Sequence, residues 1–77
     1  MPTVLRIKGY RIGFYSSDFD EPLHVHADKA GHQAKFWLEP LQLAKNAGFS
    51  RNELNKIYDI LRENRQELLR KWNEYFR

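Results

Sequence analysis

Two histidines one residue apart, His24 and His26, are the most chemically suggestive pair in the chain. Alternate residues of a β-strand project to the same side, so both imidazoles would meet one space. Histidine titrates near neutral pH, and such a pair can supply a general acid and a general base. Flanked by Arg and Lys to hold an anionic transition state, it would suit metal-independent phosphodiester cleavage, as in a small ribonuclease. The same spacing can also chelate a metal, but a stable site needs a third or fourth ligand. Asp28 and His32 are the candidates, while Lys35, expected directly opposite His26, would repel a cation. The plain alternative, which spacing alone favours, is two ordinary polar side chains on an open or partner-covered face.

Arg6 and Arg11 form a second constellation, since a tight turn between them would set them opposite each other. Like charges directly across a strand pair are destabilising. Either the long side chains splay apart, aided by Tyr15 and nearby acids, or an anion sits between two guanidinium forks. Trp37, with Tyr15, adds aromatic surface to the same side. Single-stranded RNA binders stack bases on such groups, and protein interfaces use Trp, Tyr and Arg as anchors.

These groups depend on a small sheet. Thr3–Ile7 and Tyr10–Tyr15 alternate in polarity around Lys8-Gly9, a two-residue hairpin signal. The expected register sets Ile7 against Tyr10, Arg6 against Arg11 and Leu5 against Ile12. Residues 16–22 (SSDFDEP) read as an acidic turn segment. Leu23–Ala27 is the third strand, Asp28–Gln33 its turn, and Ala34–Leu38 the fourth strand, with His24 against Trp37 and His26 against Lys35. Glu39-Pro40 ends that strand, and Leu41–Leu43 is taken as a fifth, edge strand in preference to a helical turn. Arg6, Arg11, His24, His26 and Lys35 then share one face, and Leu5, Ile7, Ile12, Phe14, Val25 and Phe36 the other.

Ser50-Arg51-Asn52-Glu53 is a capping box. Leu54, Ile57, Tyr58, Leu61, Leu68, Leu69, Trp72, Tyr75 and Phe76 then keep one helical stripe, whose phase survives residues 62–67. One helix from about Ser50 to Tyr75 is therefore expected. At about 40 Å it would be longer than a small domain is wide. Its end, with Trp72, Tyr75 and Phe76, would overhang and serve a partner or a second copy. Arg65 lies inside the stripe, so its stem should rest on the core while the guanidinium reaches an edge or an acid.

The 77 residues (1–77) suggest a single domain whose eleven aromatic residues must supply dense burial, because no cysteine is available for disulfides or thiolate metal sites. No cofactor motif is present and none is expected. The absence of cysteine, of a signal peptide and of an apolar run of about 18 residues leads to the expectation of a cytoplasmic protein without membrane contact. The net charge of +3 favours anionic partners only weakly. The expected architecture is α+β: a four- to five-stranded, mainly antiparallel sheet with one long C-terminal helix on its apolar face.

The chain as a whole resembles the short bacterial proteins grouped as domain of unknown function 4160. The likeness is carried by Met1–Arg6, Tyr10–Tyr15, Pro22–His26, Ala34–Pro40 and a closing pattern of Gly48-Phe49-Ser50, Glu53-Leu54, Ile57, Asn64, Leu68-Leu69, Trp72 and Tyr75-Phe76. Members typically read Pro-Pro-His-Val-His where Leu23 stands here, and His32 is peculiar to this chain. The resemblance implies a small protein encoded beside a second short partner, in the manner of toxin–antitoxin pairs. More loosely, it implies an effect on RNA or translation. Two functions follow as expectations. In the first, a face of Arg6, Arg11, Lys35, Trp37 and Tyr15 binds RNA or another anion, with His24 and His26 as the only acid–base pair. In the second, a non-enzymatic interaction module docks a protein partner or a second copy.

Overall fold

The computed structural model describes residues 3–15 and 20–76. Five strands form an antiparallel meander in chain order: β1 (Thr3–Ile7), β2 (Tyr10–Gly13), β3 (His24–Lys29), β4 (His32–Leu38) and β5 (Leu41–Ala47). The expected registers hold, with Arg6 on Arg11 and Leu5 on Ile12, and with His24 on Trp37 and His26 on Lys35. The first hairpin turns through Lys8 and Gly9, both at positive φ. A second turn of the same kind, Ala30-Gly31, replaces the six-residue loop expected between β3 and β4. Ala30 accepts φ 53, which alternation and composition gave no reason to expect of an alanine.

Leu41–Leu43 is indeed strand, and β5 continues to Ala47. The β4–β5 turn holds a cis Glu39–Pro40 bond. Part of the acidic segment over 16–22, and Met1-Pro2 of the opening motif, lie outside the described residues.

Tyr10, Ile12, Phe14, Val25, Ala27, Ala34, Phe36 and Leu38 line one sheet face and are buried. The chain leaves β5 through Gly48 and an Asn46 clamp. Asn46 Nδ2 donates to the Phe49 carbonyl, and its Oδ1 accepts from the Phe49 N–H. The expected capping box then opens α1 (Arg51–Glu63), with the Glu53 N–H donating to Ser50 Oγ at 3.2 Å. Ile57, Ile60 and Leu61 of this helix are buried, Ile60 being one the stripe did not include. The Tyr58 hydroxyl donates to the Leu41 carbonyl at 2.8 Å, tying the helix to the edge strand.

The single long helix is not observed. Asn64 (φ −111°, ψ 17°) separates α1 from α2 (Arg65–Tyr75), and its Nδ2 donates back to the Ile60 carbonyl. Asparagine competes for backbone partners in this way and is a weak helix former. Arg65 sits just past the break and acts as expected. Its Nε donates to the Leu38 carbonyl and its guanidinium lies 3.5 Å from Glu39.

α1 thus runs from the Ala30-Gly31 end of the sheet to the Glu39-Pro40 end, and α2 turns across that end. Trp72, Tyr75 and Phe76 do not overhang: their ring centroids lie 5.2, 5.2 and 5.6 Å from that of Phe14. Phe14 is itself fully buried.

Candidate anionic-ligand interface

The face of the sheet turned away from the helices is a lattice that the strand registers define. Its first row reads Arg6, Arg11, Asp28, Gln33 and Ala47 across β1 to β5. The second reads Thr3, Gly13, His26, Lys35 and Lys45. The third holds His24, Trp37 and Gln42, one residue pair further on. Rows are two residues apart, about 7 Å.

Two like-charge pairs face each other here, Arg6 with Arg11 and Lys35 with Lys45. In each, one member is bound by an acid. Arg11 donates through Nε and Nη2 to both oxygens of Asp28, at 2.7 and 2.9 Å. Those hydrogen bonds and the carboxylate charge raise the pKa of Arg11 above its ordinary value. Lys35 is ion-paired with Glu21, and its ammonium also lies 4.7 Å from the Trp37 ring centre. Arg6 and Lys45, on the outer strands, are exposed and have no carboxylate partner among the described residues.

Lys45 was not among the residues singled out from sequence, and strict alternation would have misplaced it. Leu43 pairs with Phe36 on the core side, so Lys45 should share its side. A bulge places Phe36 against Leu43 and Lys35 against Lys45, with Ala44 as the extra residue. The bulge flips the parity and turns Lys45 to the basic face. No composition signal marks it.

The histidines part company. His26 is half-buried, its ring 4.7 Å from Tyr15. His24 was expected on the open face but is fully buried, because α2 wraps the end of the sheet and brings Trp72 to 5.5 Å from it. His26 and Trp37 close in from the other sides, at 5.1 and 5.6 Å. His24 Nδ1 lies 2.8 Å from the Pro22 carbonyl oxygen, so that nitrogen carries the proton and donates it. The structure therefore presents one accessible imidazole rather than two.

The chelating constellation is not assembled. His32 pairs with Lys29 and projects to the helix side, where its ring lies 5.7 Å from Phe49. Asp28 is taken by Arg11. Among the described residues no group of three or more His, Cys, Asp or Glu could hold a metal ion.

Concavities open on the basic face among the described residues. One, of about 420 Å³, lies at the hairpin-turn end over Arg6, Arg11 and Lys29. Another, of about 310 Å³, is lined by Tyr15, His26, Lys35 and Lys45 among others. At the far end, Trp72 and Phe76 are engaged on Phe14, and Tyr75 alone of those three aromatics is exposed, at 43%.

Fold and surface together define a small α+β protein with one sheet face given to the core and the other to a basic, partly aromatic platform. Residues 9–73 match the family described as Domain of unknown function (DUF4160), and the chain belongs to that family. No curated protein and no solved structure matches it. No helix among the described residues is long and apolar enough to cross a membrane.

Proposed function

We propose that this protein binds single-stranded RNA on the open sheet face. Arg6, Arg11, Lys35 and Lys45 meet phosphates, and Tyr15, Trp37 and His26 offer rings to the bases. One observation carries this reading: each facing pair of cations is only half compensated, leaving Arg6 and Lys45 flanking the aromatic groups. Folding gains nothing from opposing like charges, whereas a polyanion laid across the rows would meet a cation at each outer strand. Base stacking on aromatic side chains tolerates sequence, so the expected recognition is of single strands rather than of a particular sequence.

In this reading His26 is the acid–base group at the contact surface, and His24 supports it from behind. A small protein partner, of the toxin–antitoxin kind implied by the family resemblance, belongs to the same proposal, with Tyr75 beside Trp72 and Phe76 as its contact.

Fluorescence anisotropy of a short labelled single-stranded RNA across a salt series tests the proposal. Each phosphate contact contributes about −0.7 to the slope of log affinity against log salt, so Lys45→Gln should make the slope shallower by about 0.7. Absence of RNA binding, or affinity indifferent to salt, refutes it. RNA cut during prolonged incubation in EDTA, with His26→Gln abolishing cleavage, would add catalysis to binding.

A further inference from the structure

We infer that the hairpin-turn end of the basic face holds a dedicated site for a terminal phosphate, the phosphomonoester end of an RNA strand. This rests on the RNA reading above and names the chemical end that the face receives. The 420 Å³ concavity there adjoins the aromatic one at Gln33 and is ringed by Arg6, Arg11 and Lys29 with a single carboxylate, Asp28. Three cations against one anion leave two positive charges. An internal phosphodiester carries one negative charge, whereas a terminal phosphomonoester carries about −1.5 to −2 at neutral pH. The site's charge matches the end of a strand better than its middle.

The details of the site agree. Asp28 takes Nε and Nη2 of Arg11, which fixes the plane of that guanidinium and leaves Nη1 outside the pair. Arg6, directly across the strand pair, is exposed. Two forks at one strand-pair position suit the several oxygens of a phosphate, which Arg recognises bidentately. Lys29 comes round from the core side of β3. Its Nζ lies 3.4 Å from the Lys8 carbonyl and 4.5 Å from the centre of the Tyr10 ring. Gly31 lines the concavity with no atom within 4 Å of where a Cβ would stand, so the backbone there is open to a close-approaching anion, while the Lys29 side chain lies against Gly9. From this end the strand would pass over Lys35 and Lys45 towards Tyr15 and His26, where the second concavity begins.

The test compares one RNA sequence carrying a 5′-phosphate, a 3′-phosphate, the methyl ester of whichever phosphate responds, or hydroxyl ends, each titrated by anisotropy against the full chain. One phosphorylated end should bind about tenfold more tightly than the hydroxyl-ended strand, the size of a charge-assisted hydrogen-bond gain. The responding end sets the strand's direction, and the methyl ester, with one charge fewer, should lose most of the advantage. Arg6→Gln should bring the phosphate-to-hydroxyl ratio to about one. Lys45→Gln should weaken both strands alike and leave the ratio unchanged, with melting curves confirming that both variants fold.

Equal affinity for phosphorylated and hydroxyl ends, with the salt slope intact, overturns the terminal site and leaves the binding face standing. No RNA binding of any kind overturns both. Tighter binding of a phosphoserine peptide than of phosphate-ended RNA overturns the assignment to RNA.

Discussion

Gly48→Ala is expected to be the most damaging conservative change outside the core. Gly48 turns the chain from β5 into α1 at φ +109°, a region that residues with a Cβ rarely enter. Holding a non-glycine residue there costs roughly 1–3 kcal/mol. A Cβ at that position would also lie 2.1 Å from His32 Nδ1 and 3.0 Å from its Cγ, so the imidazole must leave its place. Its tilted packing on Phe49 would go with it, worth about 1 kcal/mol.

Together these come to roughly 2–4 kcal/mol, against the 4–12 kcal/mol typical of a domain of about this size. At about 4–8 °C per kcal/mol, the melting temperature should fall by roughly 8–32 °C. Thermal and urea unfolding followed by circular dichroism would measure it. In a His32→Ala background there is no ring to displace, so Gly48→Ala should cost only the backbone strain, about 1 kcal/mol less than in the parent. Neither residue faces the basic side, so RNA affinity well below the transition should not change. A Gly48→Ala protein within 0.5 kcal/mol of the parent would refute the argument about both φ and space.

Three further outcomes are expected. Ser50→Ala removes the acceptor of the Glu53 N–H and should cost about 1 kcal/mol in urea unfolding. Ala30→Gly should raise stability by about 0.5–1 kcal/mol, since alanine at φ 53 bears a left-handed penalty that glycine does not; a lowered melting temperature would count against it. Glu67 has its pKa lowered from 4.5, first by its hydrogen bond to Arg70, so its contribution is present above the ordinary carboxylate range and lost as pH falls through its own lower value. Glu67→Gln should therefore flatten part of the acid limb below the ordinary carboxylate range, read as Tm against pH; an unchanged acid limb would remove the pair from the account.

The hairpins were legible because their signals are local. Lys8-Gly9 sets a two-residue turn, and a fixed turn dictates which residues pair, so Arg6 against Arg11 followed from counting. The same counting places His24 against Trp37, because a six-residue turn and the observed two-residue turn share one centre and therefore one register. The break at Asn64 was invisible for a physical reason. The N–H of Asn64 still bonds to the carbonyl of Ile60, and that of Leu68 to the carbonyl of Asn64. No residue is gained or lost, so the apolar stripe keeps its phase through the bend. Periodicity reports phase and is blind to direction.

That blindness carried over to the site. With a straight helix, His24 would stand open and Trp72 would project into solvent. With α2 turned across the end of the sheet, Trp72 closes over His24 and caps Phe14. Lys45 shows the converse: a bulge in β4–β5 pairing recruits a charge that strict alternation from Leu43 would place on the other side.

Local sequence is enough for the meander, the capping box and the gathering of Arg6, Arg11, His26 and Lys35 on one face. Turn chemistry and side-chain alternation act over neighbouring residues, and they suffice for that. Tertiary structure alone decided which histidine is accessible, where the last aromatics pack and that Lys45 completes the basic platform. Those outcomes depend on a helix direction and a strand register set by packing between segments far apart in the chain, which no local pattern encodes.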